Sequence, residues 1–118
     1  MAYMSSTVIL GQDRLAIFGG LTQDLSTAEF KVTNEVIFLN LKTGQWQKPS
    51  SVFVETIEDM PSGRMGASMV NYNNKLWVYS GADPYGSGVV FQDFFSFNME
   101  TGMWKKENAF LELKQGDG

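Results

Sequence analysis

Short apolar runs, each stopped within a few residues by glycine, asparagine or proline, set the rhythm of this chain. Thr7–Leu10 gives way to the polar Gly11-Gln12-Asp13-Arg14, and Leu15-Ala16-Ile17-Phe18 runs into Gly19-Gly20. After a polar stretch from 21 to 33, Val36–Leu39 closes on Asn40, and a further run opens at Trp46. Such lengths and breaks suit strands joined by tight turns. No apolar period of 3.6 residues is sustained anywhere, so little helix is expected. Strands are expected near 5–10, 14–19, 34–40 and 45–48, and again near 66–72, 75–80, 92–98 and 103–106. Val52-Phe53-Val54 reads as a short strand or a packed connection, and Asn73-Asn74 as a two-residue hairpin turn, since asparagine tolerates positive φ. The fold class is all-β, with two copies of a four-stranded antiparallel unit.

The doubling is visible in identities. Asn34–Trp46 returns as Gln92–Trp104, with Asn40, Thr43, Gly44 and Trp46 answered by Asn98, Thr101, Gly102 and Trp104. Glu35 corresponds to Asp93 and Leu39 to Phe97; Leu15, Phe18 and Gly20 correspond to Leu76, Tyr79 and Gly81. The offset changes only across the loop, which is longer at 21–33 than at 82–91, as structural repeats diverge. Each Asn-x-x-Thr-Gly-x-Trp is a hairpin: a strand ends on asparagine, the glycine supplies positive φ after a type I turn, and the next strand opens on tryptophan.

Composition narrows the chemistry. The 118 residues are 43% hydrophobic and 19% charged, as expected of one folded globule. Thirteen acidic against nine basic residues leave a net charge of -4, and Lys105-Lys106 is the largest basic cluster, which disfavours a nucleic-acid partner. No apolar run approaches the ~20 residues of a membrane helix, and the first residues lack a signal-peptide pattern. The missing cysteines favour a cytoplasmic setting. With neither histidine nor cysteine, the usual general base, nucleophilic pairs and zinc or copper ligand sets cannot be assembled from this chain. No enzyme activity, cofactor or metal is expected. Gly81–Gly88 looks like a phosphate loop, but no Lys-Ser/Thr follows and a strand comes next, so no helix N-terminus is there to hold phosphate. Glu58-Asp59 reads as a solvated pair in a connection, and the seven methionines as gap fillers.

The residues Leu-x-x-Phe-Gly-Gly at 15–20, Asn-Glu-Val-x-x-Leu-Asn-x-x-Thr-Gly-x-Trp at 34–46 and Pro-Ser-Gly-Arg-Met-Gly at 61–66 together resemble kelch repeats. The likeness runs from about Tyr3 to Trp104. It implies that each copy is one blade of a β-propeller: 1–57 a first blade with its connecting segment, 58–118 a second with a C-terminal extension. Gly19, Gly20 and Gly81 would end second strands, and Trp46 and Trp104 would be mostly buried between blades. Three positions depart from the pattern: Ser80-Gly81 stands for a double glycine, Ala67 for a frequent histidine, and Tyr3 for the arginine that copy two has as Arg64. Two blades alone leave sheet faces bare, whereas propellers use ~4–8 blades. The chain is therefore expected as part of a larger propeller, its further blades coming from the same longer chain or from self-association. An isolated chain is not expected to be a well-behaved monomer.

The resemblance also implies a non-catalytic interaction module, an adaptor or scaffold that docks a protein or peptide on one loop rim. That rim would be built from Leu21–Thr33, Met60–Arg64 and Ala82–Phe91. Candidate contacts are Arg64, Tyr85, Asp83, Ser62, Asp24 and Glu29. Arg64 has two readings: it faces an acidic ligand, or it hydrogen-bonds to neighbouring loop carbonyls. The alternative function is a structural subunit packed in a larger assembly without a separate ligand; a third is an enzyme whose catalytic residues lie elsewhere. Trp77, Tyr79, Phe94, Phe95 and Phe97 read as packing residues rather than a binding platform.

Overall fold

A computed structural model describes residues 5–9, 13–23, 25–83 and 90–108. In chain order the strands are β1 (Ser5–Ile9), β2 (Arg14–Phe18), β3 (Leu21–Gln23), β4 (Phe30–Val32), β5 (Val36–Asn40) and β6 (Trp46–Gln47). They continue as β7 (Phe53–Val54), β8 (Ser68–Tyr72), β9 (Lys75–Tyr79), β10 (Phe94–Asn98) and β11 (Met103–Glu107). One 3-10 turn, Ile57–Asp59, is the only helical element among the described residues. The fold is all-β.

Two sheets carry the doubled pattern. The first is antiparallel, in the order β1-β2-β5-β6. The second repeats it as β8-β9-β10-β11 and adds a fifth strand: β7, from the connection after the first copy, pairs in parallel with β11. The eight expected strands are all present, each end within two residues of its expected place. The stretch 21–33, read as an irregular polar loop, instead folds on itself as a β3–β4 ribbon. Thr22 and Gln23 support it by donating to the carbonyls of Lys31 and Ala28, at 3.3 Å each. Phe30 and Val32 bracketing Lys31 give this ribbon the alternation of a strand, hidden among hydrophilic neighbours.

The β5–β6 and β10–β11 hairpins show why the same residues recur. Asn40 Oδ1 accepts from the backbone N–H groups of Lys42 and Thr43 at 2.9 and 3.0 Å, and Gly44 N–H bonds back to Asn40 O at 2.7 Å. Asn98, Glu100, Thr101 and Gly102 repeat these bonds at the same three lengths. Thr43 and Thr101 each accept a bond two residues on, at 3.3 Å. Both glycines have positive φ, +75° and +85°. Asn73 and Asn74, at +58° and +63°, make the tight β8–β9 turn.

The core lies between the sheets. The first contributes Ala16, Phe18, Val36 and Phe38; the second contributes Met69, Leu76, Val78, Phe95, Phe97 and Trp104. Trp104 sits at its centre, 1% exposed, with ring centroids 5.4 Å from Phe18 and 5.0 Å from Phe97. Trp46 departs from expectation: it is 59% exposed. By register it lies with Leu15, Ile17, Ile37 and Leu39 on the face of the first sheet that turns away from the second, a face on which Ile17 is buried and Ile17 and Ile37 line one cavity with Thr22 and Lys31 of the β3–β4 ribbon. The second sheet likewise turns Val70, Tyr72, Trp77, Tyr79 and Phe94 outward over a shallow apolar groove.

Candidate partner-binding rim

The loops that follow β2 and β9 leave their sheets at the same end, and the connection 60–66 passes between them. Glycine makes the approach possible. Gly19 and Gly20 have φ of +75° and +99°, and a Cβ on Gly19 would lie 2.7 Å from the Arg64 carbonyl oxygen. That carbonyl accepts from Gly20 N–H at 2.8 Å, while Arg64 N–H donates to Thr33 O at 3.4 Å. Asn34 Nδ2 donates to Pro61 O at 2.9 Å. On the other side, Met65 and Ala82 exchange backbone bonds of 3.1 and 2.9 Å, and Phe91 N–H donates to Gly81 O at 2.8 Å. The first loop, the connection and the second loop thus form one continuous rim.

Arg64 holds this rim from beneath. Its side chain is 1% exposed and lies over Gly81, where a Cβ would come within 3.0 Å of the arginine Cδ. Nε donates to Ser62 O and Nη1 to Ser80 O, both at 3.1 Å. Nη2 donates to Ser62 Oγ and to Asp93 Oδ2, again at 3.1 Å, and Nη1 also meets Asp93 Oδ1. All five donors of the guanidinium are therefore engaged. Its flat faces lie over Phe91 and Phe95, 4.2 and 5.5 Å from the ring centroids. The bonding of Arg64 to loop carbonyls is the arrangement observed, and no donor is left over to meet an acidic ligand.

The other named positions are spread along the rim. Ser62 is exposed beside Arg64, and Asp83 is half-buried just beyond the Met65–Ala82 bridge. Glu29 is exposed near the tip of the β3–β4 ribbon, its N–H capped by Thr27 Oγ1 at 3.3 Å. Asp24 and Tyr85 lie outside the described residues, as does most of the glycine-rich run 81–88. The ribbon also presents Leu25, 93% exposed, and Phe30. Sequence reasoning missed both of these and the role of Asp93. For Asp93 the signal existed: its match with Glu35 marked a repeated acidic position directly before a strand.

A second carboxylate fixes the connection lower down. Asp59 Oδ1 accepts from Lys106 N–H at 3.0 Å, and Thr56 Oγ1 donates to Oδ2 at 3.2 Å. The Lys106 N–H bond, with smaller help from Thr56, holds this carboxyl below its ordinary pKa against a lesser opposing effect of desolvation. Glu58-Asp59 is thus not a simple solvated pair. Among the described residues, no group of three or more acidic side chains is placed to hold a metal ion, and no helix is long and apolar enough to cross a membrane.

The family model described as the KLHDC2/KLHL20/DRC7 Kelch-repeats domain matches residues 1–113. Host cell factor 1 of Homo sapiens is 33% identical over 82 residues, which are 62% of this chain and 4% of that protein. Host cell factor of Drosophila melanogaster is 31% identical over 90 residues, 70% of this chain and 6% of that protein. Tip elongation aberrant protein 3 of Schizosaccharomyces pombe is 28% identical over 80 residues, covering 68% of this chain and 7% of its own length. Among solved structures, that of YjhT superposes with a TM-score of 0.65 at 19% identity, over 92% of this chain and 38% of that one. The chain thus spans a small part of each of these relatives.

Proposed function

Because the chain belongs to the kelch-repeat family, whose members are generally protein-interaction modules, we propose that it docks a protein or peptide on the rim described above. The carrying observation is that three loops distant in sequence are bonded into one surface by a buried arginine. That surface shows Leu25, Glu29, Phe30 and Ser62 to solvent. Exposed apolar side chains flanked by polar ones on a braced loop are the composition that contact surfaces use. In this reading Glu29, Ser62 and Asp83, with Asp24 and Tyr85, make contacts. Arg64 sets the shape of the rim rather than touching the partner.

A selection of displayed peptides against the folded chain tests the proposal. Binders should lose at least tenfold in affinity to a Leu25→Ser/Phe30→Ser variant and be unaffected by Val70→Glu on the outward sheet face. Binders indifferent to the rim pair and sensitive to Val70→Glu would defeat it.

The bare sheet faces favour a second reading, in which the two blades also pack within a larger propeller. The exposure of Trp46 and the small share of each relative that the chain spans support it. The two readings are compatible, since the exposed rim residues Leu25 and Phe30 do not line the outward groove of the second sheet.

A further inference from the structure

The stretch of rim between the β3–β4 ribbon and the second loop is flanked on both sides by this chain's own loops, so it does not depend on what stacks on the outward sheet faces. By register, Phe30 and Val32 share one face of the ribbon with Leu21 and Gln23, and a Cβ on Gly63 of the connection would lie 3.1 Å from Val32 Cγ1. That face therefore looks along the rim toward blade two. Lys31 and Thr22 take the opposite face, over a cavity shared with Ile17 and Ile37. Cations are few in the three loops. Residues 82–91 contain no lysine or arginine, 60–66 contain Arg64 alone, and 21–33 contain Lys31 alone. Arg64 is buried with its donors committed to Ser62, Ser80 and Asp93, and Lys31 faces away. The rim offers acidic and apolar groups instead. Glu29 is exposed beside Phe30, Asp83 is half-buried in the second loop, and Leu25 and Phe30 are 93% and 62% exposed.

We propose that the partner of this rim is a basic peptide segment, with an aliphatic or aromatic anchor against Leu25 and Phe30 and flanking lysine or arginine drawn to Glu29 and Asp83. The inference rests on the docking role argued above and adds the chemistry of the occupant. Charge decides between candidate segments. An acidic segment would bring carboxylates to a surface whose guanidinium already holds Asp93, and a carboxylate desolvated there without a partner is costly. Pulling Arg64 away from Asp93 and Ser80 to meet such a ligand would strand the aspartate and undo the bonds between connection and second loop. A basic segment meets complementary charge on arrival, and the chain's net charge of -4 draws it in. The apolar anchor supplies affinity by covering two side chains that stand in water.

Three labelled synthetic peptides test this, each with a central Leu-Phe pair flanked by lysine, by serine or by glutamate, titrated with the folded chain and read by fluorescence anisotropy. The lysine peptide should bind about tenfold more tightly than the serine peptide and the glutamate peptide more weakly than either, with added salt narrowing the gap. Glu29→Lys should weaken the lysine peptide about fivefold and strengthen the glutamate peptide. Glu100→Lys makes the same change of charge on an exposed residue in the β10–β11 turn, at the end of the sheet away from the rim, and should alter neither. Both substitutions are at exposed positions, and circular dichroism checks that each variant folds. Equal weakening by the two variants would mean attraction to net charge alone and would overturn the proposal. So would a preference for the serine or glutamate peptide. If such a preference still vanished with Leu25→Ser/Phe30→Ser, docking on the rim would stand without its basic specificity; if no peptide responded to that pair, the proposal would fall together with the rim reading.

Discussion

Blade one and blade two share their hairpin down to the bond lengths, yet the same tryptophan is 59% exposed in one and 1% exposed in the other. The comparison separates two levels of specification. Asn-x-x-Thr-Gly makes its turn from its own atoms, so it forms alike in both settings. Burial is not a property of the motif; it is conferred by whatever stacks on that face. Glu35 and Asp93 differ in the same way. Asp93 holds the buried guanidinium of Arg64, whereas Glu35 meets the exposed Lys48 at 3.7 Å.

The sharpest way to break the comparison is to truncate both tryptophans. Trp104→Ala should cost about 3–5 kcal/mol, the range for large buried aromatics. Trp46→Ala should fall within about 0.5 kcal/mol, as surface changes do. Chemical denaturation at concentrations low enough to suppress association measures both, and equal midpoint shifts would erase the distinction. Asp93→Ala comes next: it strands a buried arginine and should cost about 3–5 kcal/mol, against less than about 1 kcal/mol for Glu35→Ala, which breaks a surface pair.

The glycines refine the contrast. Gly44→Ala should cost about 1–2 kcal/mol from left-handed backbone alone, because a Cβ there meets nothing within 4 Å. Gly102→Ala should cost clearly more, since its Cβ would lie 2.0 Å from Ser51 O in the connection. Equal thermal shifts would show that the connection yields freely. The smallest effect concerns Asp59, which has no described counterpart in blade one. Its carboxyl is held below the ordinary value of 3.8, so the stability it adds is full above that value and fades as pH falls through the lowered one. The difference in Tm between the unaltered chain and Asp59→Asn should be constant near neutrality and shrink below pH 3.8. A difference that grew on acidification would reverse the assignment.

Strand positions were legible because turn residues act locally: Asn40, Gly44, Asn73 and Gly102 announce their conformations without help. Burial and site roles were less so, because they depend on neighbours far along the chain. Nothing local distinguishes Trp46 from Trp104. Arg64 looked like a ligand contact because an arginine in a glycine-rich turn resembles an exposed one; only the fold brings Ser80 and Asp93 to its donors. The β3–β4 ribbon escaped notice because three-residue strands carry too little alternation to stand out.

The fifth strand of the second sheet has a bearing on misassembly. An unpaired sheet edge is a template for adding foreign strands, the route to amyloid-like association. Here Phe53–Val54 occupies the outer edge at Met103 and Trp104, and Asp59 takes the Lys106 amide just beyond, so strap and carboxylate together cap that edge. Blade one ends on β6, only two residues long, too short to nucleate a ladder. With one outer edge capped and the other curtailed, the chain is guarded against sticking sideways while both sheet faces stay open.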